Sequence, residues 1–187
     1  MGLDHDATPP MRRTAREDVG RAGRFALTRD RVVWPGGDAG EYVFLRAPDS
    51  VFMVPLAAAG RTTLVRQWRY PWGESSWEVP AGTLEEGEDP LAGANRELAE
   101  EAGLEAADWT PLGVVHGSAV LDSRQHLFLA RGLRPVERAP EAYERDMITR
   151  ELPLSEALDE AMSGGIAHSG SIAALTRASW SLGLRLR

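Results

Sequence analysis

The chain has 187 residues, of which 43% are hydrophobic and 26% charged, and its formal net charge is −7. This is the composition of a soluble globular protein with enough residues for a full core, and no apolar run is long enough to span a membrane. The negative charge argues against broad attraction to nucleic acid or anionic lipid, and the lack of cysteine excludes disulfides and thiolate metal sites. Because the first residues also lack the apolar stretch of a secretory signal, we expect a cytoplasmic protein.

The beginning of the chain divides into a polar stretch and a group of strands. Residues 1–22 are polar and show no apolar period, so they are predicted to form a mobile N-terminal tail. Residues 23–48 contain the β-like runs "RVVW" and "EYVFLR", joined by the turn signal "PGGDAG". They predict an antiparallel N-terminal sheet, and residues 49–187 are predicted to form one further domain.

The rest of the chain alternates between strand and helix patterns. The runs "SVFMVPL" and "TTLVRQWRY" precede an acidic helical segment, and "WTPLGVVHG", "RQHLFLAR" and "MITREL" follow it as strands. The amphipathic segments "LSEALDEAMSGG" and "SGSIAALTRASWSL" close the sequence as two helices. This order predicts a mixed sheet with helices packed on its faces, an α/β (α+β) fold.

The acidic segment has strong helix boundaries. Asp89 and Pro90 are typical of a helix start, and Gly103 is typical of a helix end. At helical spacing, Glu97, Glu100 and Glu101 fall close together on one side, opposite an apolar stripe that includes Leu91. Their carboxylates repel one another unless a cation offsets the charge, and a hard divalent cation suits such oxygen ligands. A solvated helix face is the alternative interpretation.

The residues around this helix decide between the two interpretations. The pattern G-x5-E-x7-R-E-U-x-E-E-x-G-U, in which U is aliphatic, is the Nudix box. The sequence fits every fixed position of it, with Gly82, Glu88, Arg96, Glu97, Leu98, Glu100, Glu101, Gly103 and Leu104. The chain therefore resembles the Nudix hydrolases, which cleave the pyrophosphate of nucleoside diphosphates linked to another group. The resemblance implies a Nudix-like α/β/α sandwich with a mixed sheet.

The resemblance also implies a metal site. In Nudix hydrolases the residues that match Glu97, Glu100 and Glu101 hold divalent ions and are catalytic, and the carbonyl of the residue before the box glycine, here Ala81, often completes the set. We therefore expect Mg²⁺, or alternatively Mn²⁺, as the cofactor. The residue that matches Glu88 more often braces the loop than binds the metal directly.

A longer stretch, "LVRQWRYPWGESSWEVPAG", resembles the ADP-ribose pyrophosphatase and nucleoside-diphosphate-sugar branch of the family. By this resemblance Arg69 contacts the substrate phosphates, for which a guanidinium is well suited. Aromatic residues beside it, among them Trp68, Tyr70 and Trp72, add surface on which a base could stack. The same branch carries a general base in a later loop, where Glu144 is the best match and Glu141 its rival.

The resemblance implies a Mg-dependent enzyme that hydrolyses ADP-ribose or a related nucleoside diphosphate sugar to a nucleoside monophosphate and a sugar phosphate. The loop "HGSAVLDSRQHLFLA" lacks the prolines usual in ADP-ribose pyrophosphatases, so the terminal sugar stays open. A nucleoside triphosphate pyrophosphohydrolase of the same superfamily and a non-catalytic nucleotide-sensing domain are the alternatives. The N-terminal strands, residues 23–48, imply a homodimer, because members of this branch use them to contact a partner.

Overall fold

The computed structural model describes residues 9–138 and 146–184 of the chain. The strands in these residues are β1 (Arg12–Ala22), β2 (Phe25–Val33), β3 (Ala39–Arg46), β4 (Ser50–Pro55), β5 (Arg61–Arg69), β6 (Glu74–Glu78), β7 (Ala81–Thr83), β8 (Leu104–Val115), β9 (Leu121–Asp122), β10 (Gln125–Pro135) and β11 (Ile148–Pro153). The helices are α1 (Pro90–Ala102), α2 (Leu154–Ser163) and α3 (Ser169–Ser181). The chain divides into two compact units, a smaller one with the described residues up to Ala47 and Ser118–Ser123, and a larger one with the rest.

The smaller unit is a four-stranded sheet with the strand order β1-β2-β3-β9. The antiparallel pairing of β2 with β3 agrees with the prediction for residues 23–48, β1 adds a further antiparallel strand, and β9 lies parallel to β3 through the pair Leu45 and Leu121. The prediction of a mobile tail is wrong for Arg12–Ala22, which forms β1 and pairs with β2. This strand shows no apolar period because its side chains are exposed, and ion pairs such as Arg16 with Asp30 join it to β2.

The larger unit contains two sheets, with the strand orders β7-β4-β10-β8 and β11-β5-β6. In the first sheet β4 and β10 are parallel, whereas β7 and β8 pair with them in the antiparallel direction. The second sheet is antiparallel and is built on the β5–β6 hairpin. The predicted mixed sheet is confirmed, although the sequence patterns do not reveal the short strands β6 and β7.

Side chains of β4 alternate between two hydrophobic cores. Phe52 and Val54 belong to the core that includes α2 and α3, whereas Val51 and Met53 belong to the core that includes α1. The apolar residues of β10 alternate in the same way. Because successive side chains of a strand point to opposite faces, helices cover both sides of this sheet. The predicted α/β/α sandwich is confirmed.

The two C-terminal helices lie where their amphipathic patterns predict them. α2 buries Leu154, Ala157, Leu158 and Ala161, which recur at helical spacing. In α3 a side chain at Gly170 would overlap the ring of Phe52, so glycine allows the first turn of this helix to approach β4 closely. Across residues 9–138 and 146–184, no helix combines the length and apolar character needed to cross a membrane.

Candidate active site

Helix α1 carries the acidic side chains, and its ends are those that the sequence predicts. The carboxylate of Asp89 accepts hydrogen bonds from the backbone N–H groups of Leu91 and Ala92. Pro90 is the first helical residue, and Gly103 ends the helix in the left-handed conformation with a φ of 64°. Because both ends are fixed, the glutamates of the last two turns have a defined position.

Two of these glutamates are buried. Glu97 and Glu101 expose only 7% and 1% of their surface, although the helical pattern places them on the polar side of α1. Strand β7 covers them. The N–H of Ala81 donates to Glu101 Oε2 at 2.8 Å, and the carboxylate of Glu97 occupies the space that a side chain on Gly82 would need. Leu91, which the pattern assigns to the apolar stripe, is 40% exposed.

Arg96 orients the carboxylates of this cluster. Its Nη1 donates to Glu97 Oε1 at 2.7 Å and to Glu100 Oε2 at 3.0 Å, while Nε and Nη2 donate to the two oxygens of Glu88. The hydrogen bond to Glu88 is the main reason why the pKa of Arg96 is raised, with Glu97 adding to the effect and burial opposing it. Glu88 also accepts the backbone N–H of Glu85, so it braces the loop as the resemblance implies.

The donor set of this cluster fits a hard divalent cation. Glu88, Glu97 and Glu100 pair with Arg96, so one positive charge faces three carboxylates, and carboxylate oxygens are the ligands that Mg²⁺ and Mn²⁺ prefer. Among the residues that the structure describes, however, no three His, Cys, Asp or Glu side chains converge closely enough to hold an ion. In this conformation the carboxylates accept hydrogen bonds from protein N–H groups, from Arg96 and from the β7 backbone.

An open cavity of about 360 Å³ lies beside the acidic cluster. Ala81 and Gly82, which contact the buried glutamates, form part of its wall. Arg69, Trp72 and His168 form another part. The structure therefore places Arg69, the predicted phosphate contact, in the same cavity as the backbone that positions the predicted metal ligands.

Arg69 is held by a partly buried ion pair that the motifs in the sequence do not indicate. Its Nε and Nη2 donate to the two oxygens of Glu78, whose side chain is fully buried. Nδ1 of His168 lies 3.1 Å from Glu78 Oε2. The signal in the sequence is a glutamate between Trp77 and Val79 just before a turn, because a charge in an apolar run needs a partner when it is buried.

The remaining candidates lie in different surroundings. Glu144 and its rival Glu141 lie outside the described residues, so the structure does not place the predicted general base. Of the aromatic residues near Arg69, Trp72 lines the cavity, whereas the exposed Trp68 and Tyr70 are not among its lining residues.

Comparisons with known proteins identify the family and the fold. The model of the NUDIX domain family matches residues 46–166. The chain is 38% identical over 153 residues to an ADP-ribose pyrophosphatase of Mycobacterium tuberculosis (strain ATCC 25618 / H37Rv), covering 80% of this chain and 73% of that protein. It is 35% identical over 135 residues to a methanol dehydrogenase activator of Bacillus methanolicus, covering 71% of this chain and 72% of that protein. A solved ADP compounds hydrolase shares the fold, with a TM-score of 0.82 at 20% identity over 97% of this chain and 100% of that one.

Proposed function

The chain belongs to the NUDIX domain family, and from this premise we propose that it hydrolyses the pyrophosphate bond of ADP-ribose or a related nucleoside diphosphate sugar. The products are a nucleoside monophosphate and a sugar phosphate. The observation that carries the proposal is a single cavity that joins Arg69 to the β7 backbone against which Glu97 and Glu101 are held. The guanidinium proposed to bind the phosphates and the backbone that holds two of the proposed metal ligands thus border the same cavity.

We propose that Glu97, Glu100, Glu101 and the carbonyl oxygen of Ala81 hold Mg²⁺ or Mn²⁺. The support is the excess of negative charge around Arg96 and the burial of two of the carboxylates. A divalent ion bound there would neutralise charge on the phosphate oxygens and activate the attacking water.

The protein's own residues prepare this chemistry. The absence of a side chain at Gly82 gives the Glu97 carboxylate its place, and Arg96 relieves the repulsion between Glu97 and Glu100. Arg69 binds the phosphates, because a guanidinium donates two parallel hydrogen bonds to phosphate oxygens. We propose Glu144 as the general base that removes the proton from the attacking water, on the strength of its match to the branch pattern alone.

We also propose a homodimer formed through the N-terminal strands, residues 23–48, with residues 49–187 as the hydrolase domain. In the smaller unit, β2 and β3 expose Phe25, Leu27 and Leu45, and the direct pairing of Leu27 with Leu45 puts these side chains on one face. Contiguous exposed apolar surface marks interaction sites. Light scattering on the purified protein tests the proposal, and a monomeric mass would refute it. The cytoplasmic location stays a prediction.

The test of function is a panel of ADP-ribose, other nucleoside diphosphate sugars and nucleoside triphosphates with Mg²⁺, with the products identified by chromatography. We expect AMP and ribose phosphate, or the corresponding pair from another sugar. Release of inorganic pyrophosphate from triphosphates alone would indicate the triphosphate enzyme, and tight binding without turnover would indicate a sensor.

The same panel tests the metal ligands. Glu101→Gln should lower kcat by about 100-fold or more while the fold is retained, because it removes ligand charge from a buried position. Glu86→Gln is the matched control, since it makes the same change at an exposed position in the loop before α1. Near-normal turnover of Glu101→Gln would contradict the ligand assignment.

A further inference from the structure

His168 immediately precedes helix α3 but does not cap it. A residue at this position commonly accepts a hydrogen bond from the free N–H groups of the first turn, and the side chain of His168 makes no such bond. Its ring packs instead against Phe52 and Trp72, with ring centroids 5.2 and 5.7 Å away. The side chain therefore belongs to the wall of the cavity that also contains Arg69.

The contacts of Nδ1 assign the tautomer of His168. This atom lies 3.1 Å from Glu78 Oε2 and 3.2 Å from Ser171 Oγ. A lone pair that close to a carboxylate would be repelled, so Nδ1 carries the hydrogen and donates it. The hydroxyl of Ser171 also accepts the backbone N–H of Val79, the residue after Glu78. The start of α3 thus contacts both Glu78 and Val79.

Glu78 links His168 to Arg69. Its Oε2 accepts from Arg69 Nη2 and lies 3.1 Å from His168 Nδ1, while Oε1 accepts from Arg69 Nε. A fully buried carboxylate is stable only when its charge is paired and its lone pairs are used. With Arg69 as its only partner, Glu78 could turn about its side-chain torsions together with the guanidinium. The contact with His168 Nδ1 comes from the residue that precedes α3, a different secondary-structure element, and restricts that freedom.

His168 is neutral at neutral pH. Burial lowers the pKa of His168, and although the Glu78 carboxylate opposes this effect, the nearby Arg69 adds to it. A neutral ring with its hydrogen on Nδ1 places an N–H group next to Glu78 without adding a second positive charge beside Arg69.

We propose that His168 is a positioning residue for Arg69: its Nδ1–H fixes Glu78, and Glu78 fixes the guanidinium at the wall of the cavity. The proposal rests on the proposed function, in which Arg69 binds the phosphates of the substrate. Substrate binding then depends on the hydrogen-bond donor of His168, and not on the presence of its ring.

Two substitutions separate the donor from the ring. His168→Phe keeps a ring against Phe52 and Trp72 but has no donor, whereas His168→Asn keeps a donor at the branch that corresponds to Nδ1. With ADP-ribose, His168→Phe should raise KM about tenfold and change kcat less than about twofold, and His168→Asn should restore most of the binding. A wild-type KM in His168→Phe, or an equal loss in both variants, would overturn the proposal. His168→Leu, which also lacks the donor, replaces His168→Phe if the latter does not fold.

The Arg69→Ala background tests whether His168 acts through Arg69. In that background His168→Phe should not raise KM further, because the residue that it positions is already gone. A second, multiplicative increase in KM would mean that His168 affects binding by another route, and it would overturn the proposal.

A spectroscopic readout separates this proposal from the proposed function. The Nε–H signal of Arg69 in a ¹H–¹⁵N spectrum, assigned by its loss in Arg69→Lys, should be similar in the wild type and His168→Asn and shifted or broadened in His168→Phe. An unchanged signal in His168→Phe would overturn the positioning role. If no nucleoside diphosphate sugar is hydrolysed, the proposed function fails, and this signal still decides whether His168 positions Arg69.

Discussion

Replacing Gly82 with alanine should disable the site without unfolding the domain. A Cβ atom at Gly82 would fall far inside 3.0 Å of the carboxylate carbon and both oxygens of Glu97, a separation that Cβ atoms essentially never show. Gly82 does not have a positive φ, so the added methyl group acts through this overlap alone. To reach the ordinary contact range, which begins at 3.4 Å, the carboxylate must move by more than about 1 Å.

The expected magnitude follows from that displacement. A misplacement of about 1 Å in a catalytic arrangement costs about 100-fold in rate, which corresponds to roughly 2.7 kcal/mol of transition-state stabilisation. We therefore expect kcat of Gly82→Ala to fall about 100-fold at saturating ADP-ribose, with a weaker dependence on added Mg²⁺. Circular dichroism should show the secondary structure of the wild type, because the movement is confined to one side chain.

Gly20→Ala is the matched control for this experiment. A Cβ atom at Gly20 meets nothing within 4 Å, and its backbone also lacks a positive φ, so the substitution should leave kcat unchanged. If Gly82→Ala kept kcat within about threefold of the wild type and kept its metal dependence, Glu97 would not need its place against β7. That result would refute the reasoning that links this glycine to the site.

Three further predictions concern the base, the helix cap and the buried histidine. Glu144→Gln should lower kcat at saturating metal with little change in KM, because proton removal is lost while the phosphates are still bound; an unchanged rate would mean that the base lies elsewhere. Asp89→Ala should lower the free energy of unfolding by about 1 kcal/mol in urea denaturation, because two N–H groups of α1 lose their acceptor; an unchanged midpoint would contradict this. Burial in the folded chain lowers the pKa of His168 below its ordinary value, so the unfolded chain binds this proton more readily. The free energy of unfolding should therefore be steady above about pH 6.5 and decrease as the pH falls below it, and His168→Asn should lack this component; the same slope in both proteins would contradict it.

The acidic helix could be predicted from the sequence because its signals are local. Asp89 and Pro90 mark the start, Gly103 marks the end, and the spacing of the glutamates fixes which of them are neighbours. The burial of Glu97 and Glu101 could not be predicted in this way. It depends on Ala81–Thr83, a strand of three residues that is too short to show an alternating pattern.

Contacts between parts of the chain that are distant in sequence also could not be predicted from the sequence patterns. Glu78 and His168 meet only because the first turn of α3 packs close to β4 and β6, and no local pattern marks such a pair. Strand β1 escapes prediction for a different reason. Its register depends on hydrogen bonds to β2 and on ion pairs rather than on buried side chains, so Arg12–Ala22 carries no alternation of apolar and polar residues.

The short strand β9 has a consequence for how the gene product could be shortened. Ser118–Ser123 belongs to the smaller unit although its neighbours on both sides in the sequence belong to the larger one, so the polypeptide crosses between units after Ala47, Gly117 and Ser123. Removing only the residues before Pro48 would remove β3 and leave the backbone of β9 without its strand partner. A shortened protein that keeps only the larger unit would therefore lack both the residues before Pro48 and Ser118–Ser123, with Gly117 joined directly to Arg124.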